Sequence, residues 1–323
     1  MPSLPSQAAA AASTVPLSPA GPGTPGRRPV TTAVPRQYVH RAAVAEVFLT
    51  DWHRLDRDTF SIGAQWPRGH SLYRPRAGQQ DPMLLAESIR QAGALLAHTQ
   101  YGVPLGHHFL MWSLSYDVVP GGLVADLSPT EIELLTTCDE ITMRGRHLAS
   151  LRYSVTAFRD RLPVATGEAA FSCASPAAYD RLRGDRRHAS SGALPAPVSP
   201  DTVGRESSRD VVLSRQDARR PRQWQLRVEP THPIYFDHPV DHVPGMVLLE
   251  AARQAALALA RPGSPVPFRM SGTFRRYAEL GTECRIRARA DRTDPAGHTV
   301  VQVTGEQAGH TVFTCAVGTR PAH

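Results

Sequence analysis

The sequence predicts an α+β fold in which one unit occurs twice, each copy being a curved antiparallel sheet wrapped around a long central helix. The first observation behind this prediction is an internal repeat. Residues 87–92 (ESIRQA) recur as residues 250–255 (EAARQA), 163 positions later. A period of this length exceeds the roughly 20 to 50 residues of solenoid repeats, so it indicates duplication of a whole domain. The chain of 323 residues is long enough for two domains.

The second observation is that the hydrophobic period of each copy changes from that of a strand to that of a helix and back. In the first copy, residues 81–82 (DP) should begin the helix and residues 101–102 (YG) should follow its end. In the second copy, residues 244–245 and 262–263, both Pro-Gly, bracket the helix. The expected return strands are residues 109–118, 147–158 and 164–173, and then residues 268–277, 283–291, 299–304 and 310–317.

The third observation is that two compositionally biased segments divide the chain. Residues 1–36 are rich in Ala, Pro, Ser and Thr and poor in large apolar side chains, so we expect a disordered tail. Residues 175–208 contain prolines, glycines and an arginine-rich patch, which predicts a linker. The two copies are therefore expected at residues 37–174 and 209–323. Because apolar residues occupy most faces of the second helix, a sheet should cover it, an arrangement known as the hotdog fold.

Composition narrows the possible partners and the compartment. The net charge is +7 with 36 Lys and Arg residues, which favours a partner carrying phosphates or carboxylates. The basic residues are scattered and form no long run, so we expect no nucleic-acid partner. We also expect no membrane span, because no stretch approaches roughly 18 uncharged apolar residues. The N-terminus lacks the pattern of a secretory signal, and a cytoplasmic location is expected.

The four cysteines predict neither a metal site nor a bound cofactor. Cys138, Cys173, Cys284 and Cys315 form no C-x-x-C pair and no cluster with histidine at metal-ligand spacing. Cys173 and Cys315 fall at matching places near the ends of the two copies, which is typical of small buried apolar residues on equivalent strands.

A family resemblance becomes specific around the second helix. Residues 237–255 (DHPVDHVPGMVLLEAARQA), together with residues 81–93 and 103–111, resemble the A-factor biosynthesis hotdog family of γ-butyrolactone autoregulator synthases. The resemblance runs from about residue 38 to the C-terminus. It implies transfer of a β-ketoacyl group from an acyl carrier protein thioester to the hydroxyl of dihydroxyacetone phosphate. The same residues are similar to 3-hydroxyacyl carrier-protein dehydratases, although the spacing from His238 to Pro244 is two residues shorter than those enzymes lead us to expect.

Chemical reasoning assigns candidate roles within the second copy. Gly245 and Met246 lie in the first helical turn, where unpaired N–H groups would polarise a thioester carbonyl. Glu250 would accept a proton from the attacking hydroxyl, with Arg253 on the same helix face and Gln254 orienting the carboxylate. The alternative is that Glu250 and Arg253 form an ion pair that only stabilises the helix.

The loop before the helix supplies two further candidates, His238 and His242, which would shuttle the hydroxyl proton or donate to a phosphate oxygen. Alternatively, they only cap the loop and the helix start. Glu87, Arg90 and Gln91 repeat the helix pattern in the first copy, but the preceding loop lacks histidine, so this copy is expected to bind substrate or to serve as a scaffold. In that loop, Arg74 and Arg76 are candidates to attract phosphate.

Two hotdog units usually pair, so the chain is expected to form a pseudo-dimer by itself and to bind an acidic acyl carrier protein. Two other classes of function stay open. One is a hotdog acyl-thioester hydrolase or 3-hydroxyacyl dehydratase, and the other is a non-catalytic acyl-binding regulatory protein.

Overall fold

A computed structural model describes residues 30, 32–188, 192–216, 219–260, 265–295 and 297–321. The elements described below belong to one compact unit, Thr32–His323. Of the predicted tail, residues 1–29 and 31 lie outside the described residues, as do residues 262–263, which were expected to end the second helix.

The described part of the chain contains three α-helices, eleven strands and five short 3₁₀ helices. The helices are α1 (Met83–Thr99), α2 (Pro176–Arg183) and α3 (Gly245–Leu259). The strands are β1 (Leu49–Asp56), β2 (Thr59–Trp66), β3 (His108–Val118), β4 (Thr130–Arg144), β5 (His147–Arg159), β6 (Leu162–Ala174), β7 (Gln223–Gln225), β8 (Val266–Phe274), β9 (Cys284–Thr293), β10 (Thr299–Gln307) and β11 (His310–Arg320).

All the strands of the described residues join one antiparallel sheet, in the order β1-β2-β4-β5-β6-β3-β8-β11-β10-β9-β7. The β3–β8 pair, with Ser115 opposite Ser271, connects the strands of the N-terminal half to those of the C-terminal half. α1 packs on β3, β5 and β6, whereas α3 packs on β8 to β11. Each half of the sheet therefore covers its own helix.

Both long helices are almost entirely buried, including polar side chains in their middle turns. Glu87 and Gln91 of α1, and Glu250 and Gln254 of α3, are at most 1% exposed. Gln91 accepts from Phe48 N at 3.0 Å and donates to Glu46 O at 2.7 Å. Gln254 makes the same two bonds in the second copy, to residues 212 and 210. The repeat in sequence is therefore also a repeat in hydrogen bonding.

The predicted return strands match β3, β5 and β6 in the first copy and β8 to β11 in the second, with ends shifted by a few residues. The hairpin β1–β2 was not predicted, because half of the positions in its first strand are exposed and the strand shows little apolar alternation. Two more strands were not predicted: β4, which carries several acidic residues, and the short edge strand β7. The range predicted as a linker contains α2 and two buried arginines, Arg183 and Arg205.

Among the described residues, no helix combines the length and the apolar character needed to cross a bilayer.

Candidate functional site

The main candidate site is a cleft of about 410 Å³ that both halves of the chain line. The N-terminal half contributes the middle of α1, through Arg90 and Ala94, and parts of β3 and β6. The C-terminal half contributes the start of α3, through Gly245 and Met246, and the end of β8. The loop before α3 and Tyr179 of α2 complete the walls. We call this the large cleft.

A second cleft, of about 80 Å³, lies at the equivalent place with the roles of the two helices exchanged. Asp81 and Pro82, just before α1, and Arg253 and Leu257 of α3 line it. We call this the small cleft. Each cleft thus combines the start of one helix with the middle of the other. Residues of α3 that were expected in one site, such as Gly245 and Arg253, therefore lie in different clefts.

The structure divides the predicted site residues into three groups. Five line the large cleft: Gly245, Met246, His238, His242 and Arg90. Arg253 lines the small cleft, as do Arg74 and Arg76, the suggested phosphate ligands. The buried side chains of Glu87, Gln91, Glu250 and Gln254 are not part of either lining among the described residues.

Glu250 is held by a buried ionic network. Arg205 donates to both of its carboxylate oxygens, at 2.8 Å from Nε and 2.6 Å from Nη2. Gln254 donates to Oε1 at 2.7 Å, while Arg253 Nη1 lies 3.4 Å away. Arg205 and Arg253 each also donate to Asp81 at 3.3 Å. Both oxygens of the carboxylate that was expected to accept a proton are therefore already hydrogen-bonded.

Glu87 is likewise held by two arginines and a glutamine in the first copy. Arg41 and Arg90 donate to its carboxylate at 2.6 to 2.9 Å, and Gln91 donates at 2.7 Å. Burial alone would raise the pKa of Glu87, but the charges and hydrogen bonds of the two arginines outweigh it and lower the pKa to about 2. Glu87 therefore stays ionised and fixes Arg41 and Arg90 in the wall of the large cleft.

His242, in the wall of the large cleft, is held by a network of hydrogen bonds and ion pairs. Its Nδ1 lies 2.8 Å from Asp241 Oδ1, which also accepts from the Tyr179 hydroxyl at 2.6 Å. Arg183 donates to Asp241 Oδ2 at 3.0 Å and pairs with Glu279 at 2.6 to 2.8 Å. Burial opposes ionisation of Asp241, but these hydrogen bonds and the charge of Arg183 prevail and hold its pKa well below the usual range.

This geometry determines which ring nitrogen of neutral His242 can accept a proton. Because Nδ1 faces the Asp241 carboxylate, it carries the proton in the neutral ring, and Nε2 keeps its lone pair on the opposite edge. A carboxylate in this position also stabilises the imidazolium that forms when Nε2 accepts a proton. The Tyr277 ring packs against the imidazole edge at 4.7 Å. The Tyr179 ring stacks on His108 with the ring centroids 3.6 Å apart, and its hydroxyl bonds to the same oxygen of Asp241 that His242 faces.

His238 is held less tightly. Its Nδ1 lies 3.2 Å from Asp237, and its side chain is 44% exposed. Asp237 itself accepts from the backbone N–H groups of Ala42 and Ala43, at 2.6 and 2.9 Å. These bonds tie the loop before α3 to the N-terminal half of the chain.

The start of α3 presents backbone donors to the large cleft. Pro244 precedes the helix and has no N–H; Val247 N donates to Pro244 O at 2.9 Å, whereas the N–H groups of Gly245 and Met246 come too early in the helix to have intrahelical partners. A Cβ built on Gly245 would lie 3.4 Å from the Phe274 ring and 3.8 Å from Met111 Sδ. Because Gly245 has no side chain, this part of the cleft wall is formed by backbone.

His40 is a cleft residue that the sequence analysis missed, and its backbone is in the left-handed region, with φ 54°. Its Nε2 lies 2.8 Å from His98 Nε2, and His98 Nδ1 lies 2.7 Å from Val103 O. A carbonyl only accepts, so His98 carries its proton on Nδ1 and His40 is the donor between the rings. Burial, with the charges of Arg90 and the neighbouring His98, His238 and His108, lowers the pKa of His40 to about 3.

This shift gives the stability a definite pH dependence. An unfolded histidine titrates near pH 6.5, whereas folded His40 titrates near 3, so the unfolded chain binds more protons between these values. The free energy of unfolding should therefore fall as the pH is lowered from 6.5, by at most about 2 kcal/mol at pH 5 from His40 alone. Urea unfolding of the wild type and of His40→Gln at pH 7 and pH 5 measures this. An equal loss in both proteins would contradict it.

Other residues of the site were also missed. Tyr179, Arg183 and Arg205 come from the predicted linker, where composition hides their burial. Arg41 lies far in sequence from the carboxylate that it pairs with. The sequence did contain one signal for the site as a whole, an Asp-His dipeptide repeated at residues 237–238 and 241–242. In the structure each Asp carboxylate lies within hydrogen-bond distance of its neighbouring histidine.

Known proteins resemble this chain over most of its length. The A-factor biosynthesis hotdog domain matches residues 24–175 and 188–321. A 2-oxo-3-(phosphooxy)propyl 3-oxoalkanoate synthase from Streptomyces virginiae is 50% identical over 294 residues, or 91% of this chain and 99% of that protein. A synthase of the same name from Streptomyces griseus is 40% identical over 290 residues, or 89% and 95%.

A solved structure assigned as an oleoyl thioesterase from Lactobacillus plantarum is 12% identical, covers 83% of this chain and 98% of its own, and has a TM-score of 0.50. At this identity the likeness shows the fold alone. The large antiparallel sheet and the two matched ranges confirm the predicted hotdog fold. This chain belongs to the A-factor biosynthesis hotdog family.

Proposed function

We propose that the protein transfers a 3-oxoacyl group from an acyl carrier protein thioester to the hydroxyl of dihydroxyacetone phosphate. The name of the two synthases describes the ester that such a transfer makes. The observation that carries the proposal is the Asp241–His242 pair on the wall of the large cleft, three residues before the first turn of α3. A base and a set of oxyanion donors therefore meet in one cleft.

The reaction follows from the roles of these groups. His242 Nε2 accepts the hydroxyl proton, and the oxygen attacks the thioester carbon, forming the C–O bond as the carbonyl electrons move onto oxygen. N–H groups of the first turn of α3, around Gly245 and Met246, donate to this oxyanion. Collapse then breaks the C–S bond, and the leaving thiolate takes the proton from the His242 imidazolium. Ester and free carrier thiol result, and Glu250 has no part in the chemistry.

Two exposed arginines, Arg275 and Arg276, follow β8 at the edge of the large cleft. In this proposal they bind the phosphate of the acceptor, because guanidinium groups form forked hydrogen bonds to phosphate. We expect Arg275→Gln/Arg276→Gln to raise the KM for dihydroxyacetone phosphate about 100-fold, with a small change for the thioester. The exposed Arg57→Gln is the control. An unchanged KM for the acceptor would place the phosphate elsewhere.

The partner and the domain arrangement belong to the same proposal. The two matched ranges would be two hotdog repeats that pair within one chain, with their boundary inside residues 175–208 and α1 and α3 as the two central helices. The net charge of +7 would suit an acidic carrier protein. The KM for a carrier-bound thioester should therefore rise with salt more steeply than that for the same acyl group on free pantetheine.

The test supplies a 3-oxoacyl thioester with and without dihydroxyacetone phosphate and follows the products by mass spectrometry. The expected result is the phosphorylated ester, formed only when the acceptor is present. Free 3-oxo acid formed at the same rate in both mixtures would indicate a hydrolase instead. A failure to turn over either mixture would support a non-catalytic acyl-binding protein.

A further inference from the structure

One part of the large cleft is apolar and is built from aromatic rings and very small side chains. Phe109 stacks on Phe171 at 5.0 Å, and Tyr153 meets Phe171 edge-on at 6.2 Å. Ala94 of α1 and the alanines 169 and 170 of β6 lie beside these rings. The Tyr153 ring is held in place, since its hydroxyl donates to Ile89 O at 2.7 Å. Such a surface suits an alkyl chain, and each methylene that it covers adds affinity.

The small cleft has a large residue at the position where the large cleft has one of these small ones. The repeat aligns Glu87 with Glu250 and therefore Ala94 with Leu257. Both residues line their respective clefts, which measure about 410 Å³ and about 80 Å³. Leu257 Cδ1 fills space next to Gly204, where an added Cβ would lie 2.9 Å from it. The N-terminal half thus has alanine at the position where the C-terminal half has leucine.

We propose that the alkyl tail of the 3-oxoacyl group lies along Ala94 and the ring wall of Phe109, Phe171 and Tyr153, and that the residue at position 94 sets the longest tail accepted. This inference rests on the proposed acyl transfer and adds its length specificity. Ala94 lines the cleft and is only 2% exposed, so a larger side chain there extends into the space that the tail occupies.

The test is the variant Ala94→Leu, which gives the large cleft the residue of the small one. Ester formation is measured with pantetheine thioesters of 3-oxobutanoate, 3-oxohexanoate, 3-oxooctanoate and 3-oxodecanoate. Leucine adds three carbon atoms, and each lost methylene contact costs about 4-fold in kcat/KM. We therefore expect kcat/KM within about 3-fold of wild type for 3-oxobutanoate and about 50-fold lower for 3-oxodecanoate. An equal loss at every length, or no loss, would overturn the proposal.

Two further variants serve as a control and as a substitute for Ala94→Leu. Leu257→Ala changes the equivalent residue of the small cleft and should leave the length profile unchanged, whereas a shifted profile would contradict the proposal. If Ala94→Leu does not fold, Ala94→Val carries the same test with a smaller expected shift.

A binding measurement separates this inference from the transfer reaction. Calorimetry with S-alkyl pantetheines of the same lengths needs no acceptor and no turnover. Binding that strengthens with alkyl length in the wild type and no longer does so in Ala94→Leu would support the tail site. If no ester formed in any mixture, that result would contradict only the proposed transfer. Binding independent of length in the wild type would overturn the tail site.

Discussion

Replacing His242 by alanine is expected to lower kcat for ester formation about 1,000-fold, because the acceptor hydroxyl then has no base beside it. The fold should survive, since His242 is at the wall of the cleft and its side chain is 26% exposed. Single-turnover kinetics with the 3-oxoacyl thioester and saturating dihydroxyacetone phosphate measure the chemical step directly.

Two comparisons sharpen this prediction. Asp241→Asn keeps the shape but removes the charge that fixes the tautomer of His242, so kcat should fall about 100-fold or more. His238→Ala should cost less than about 10-fold, because His238 is more exposed and is held only by a 3.2 Å contact to Asp237. Equal losses in His238→Ala and His242→Ala would contradict the assignment of the base.

Replacing Glu250 by alanine is expected to destabilise the protein by about 3 to 5 kcal/mol, because Arg205 and Arg253 then remain buried with only Asp81 as a counter-charge. Urea unfolding followed by circular dichroism gives the free energy. A loss below about 1 kcal/mol would mean that the network adds little to stability.

The matched control removes both members of the main pair. Arg205→Met/Glu250→Met leaves no buried unpaired charge at this position, while Asp81 and Arg253 still compensate each other. Much of the lost stability should return in this double variant, because well-packed apolar residues can replace a buried ion pair at little cost. A double variant less stable than Glu250→Ala would contradict the electrostatic explanation.

Local patterns predicted much of the fold. The helix signals at Pro82 and Pro244 located α1 and α3 to within a residue at their starts. The alternating segments after each helix located the strands of the sheet that cover it. These features depend on residues close together in sequence, and they can therefore be predicted from a single sequence. β1 and β4 were missed because exposure or acidic side chains weaken the apolar alternation.

Only part of the site could be predicted from the sequence, because the rest depends on contacts between segments that are distant along the chain. The residues around Gly245 and His242 were found through a local motif. Their placement opposite α1 rather than beside Glu250 follows from the pairing of β3 with β8, which no local pattern reports. The same holds for Arg205, which reaches Glu250 and Asp81 from a segment whose composition is typical of a linker.

The most direct test of the central claim compares ester formation by Arg205→Met/Glu250→Met with that by His242→Gln, each as a rate per folded molecule. The double variant lacks the Glu250 carboxylate, and His242→Gln lacks only the base. We predict that the double variant stays within about 10-fold of wild type, whereas His242→Gln loses about 1,000-fold. The central claim would be contradicted if the double variant folded but was inactive while His242→Gln stayed active. That result would indicate that Glu250 is the proton acceptor.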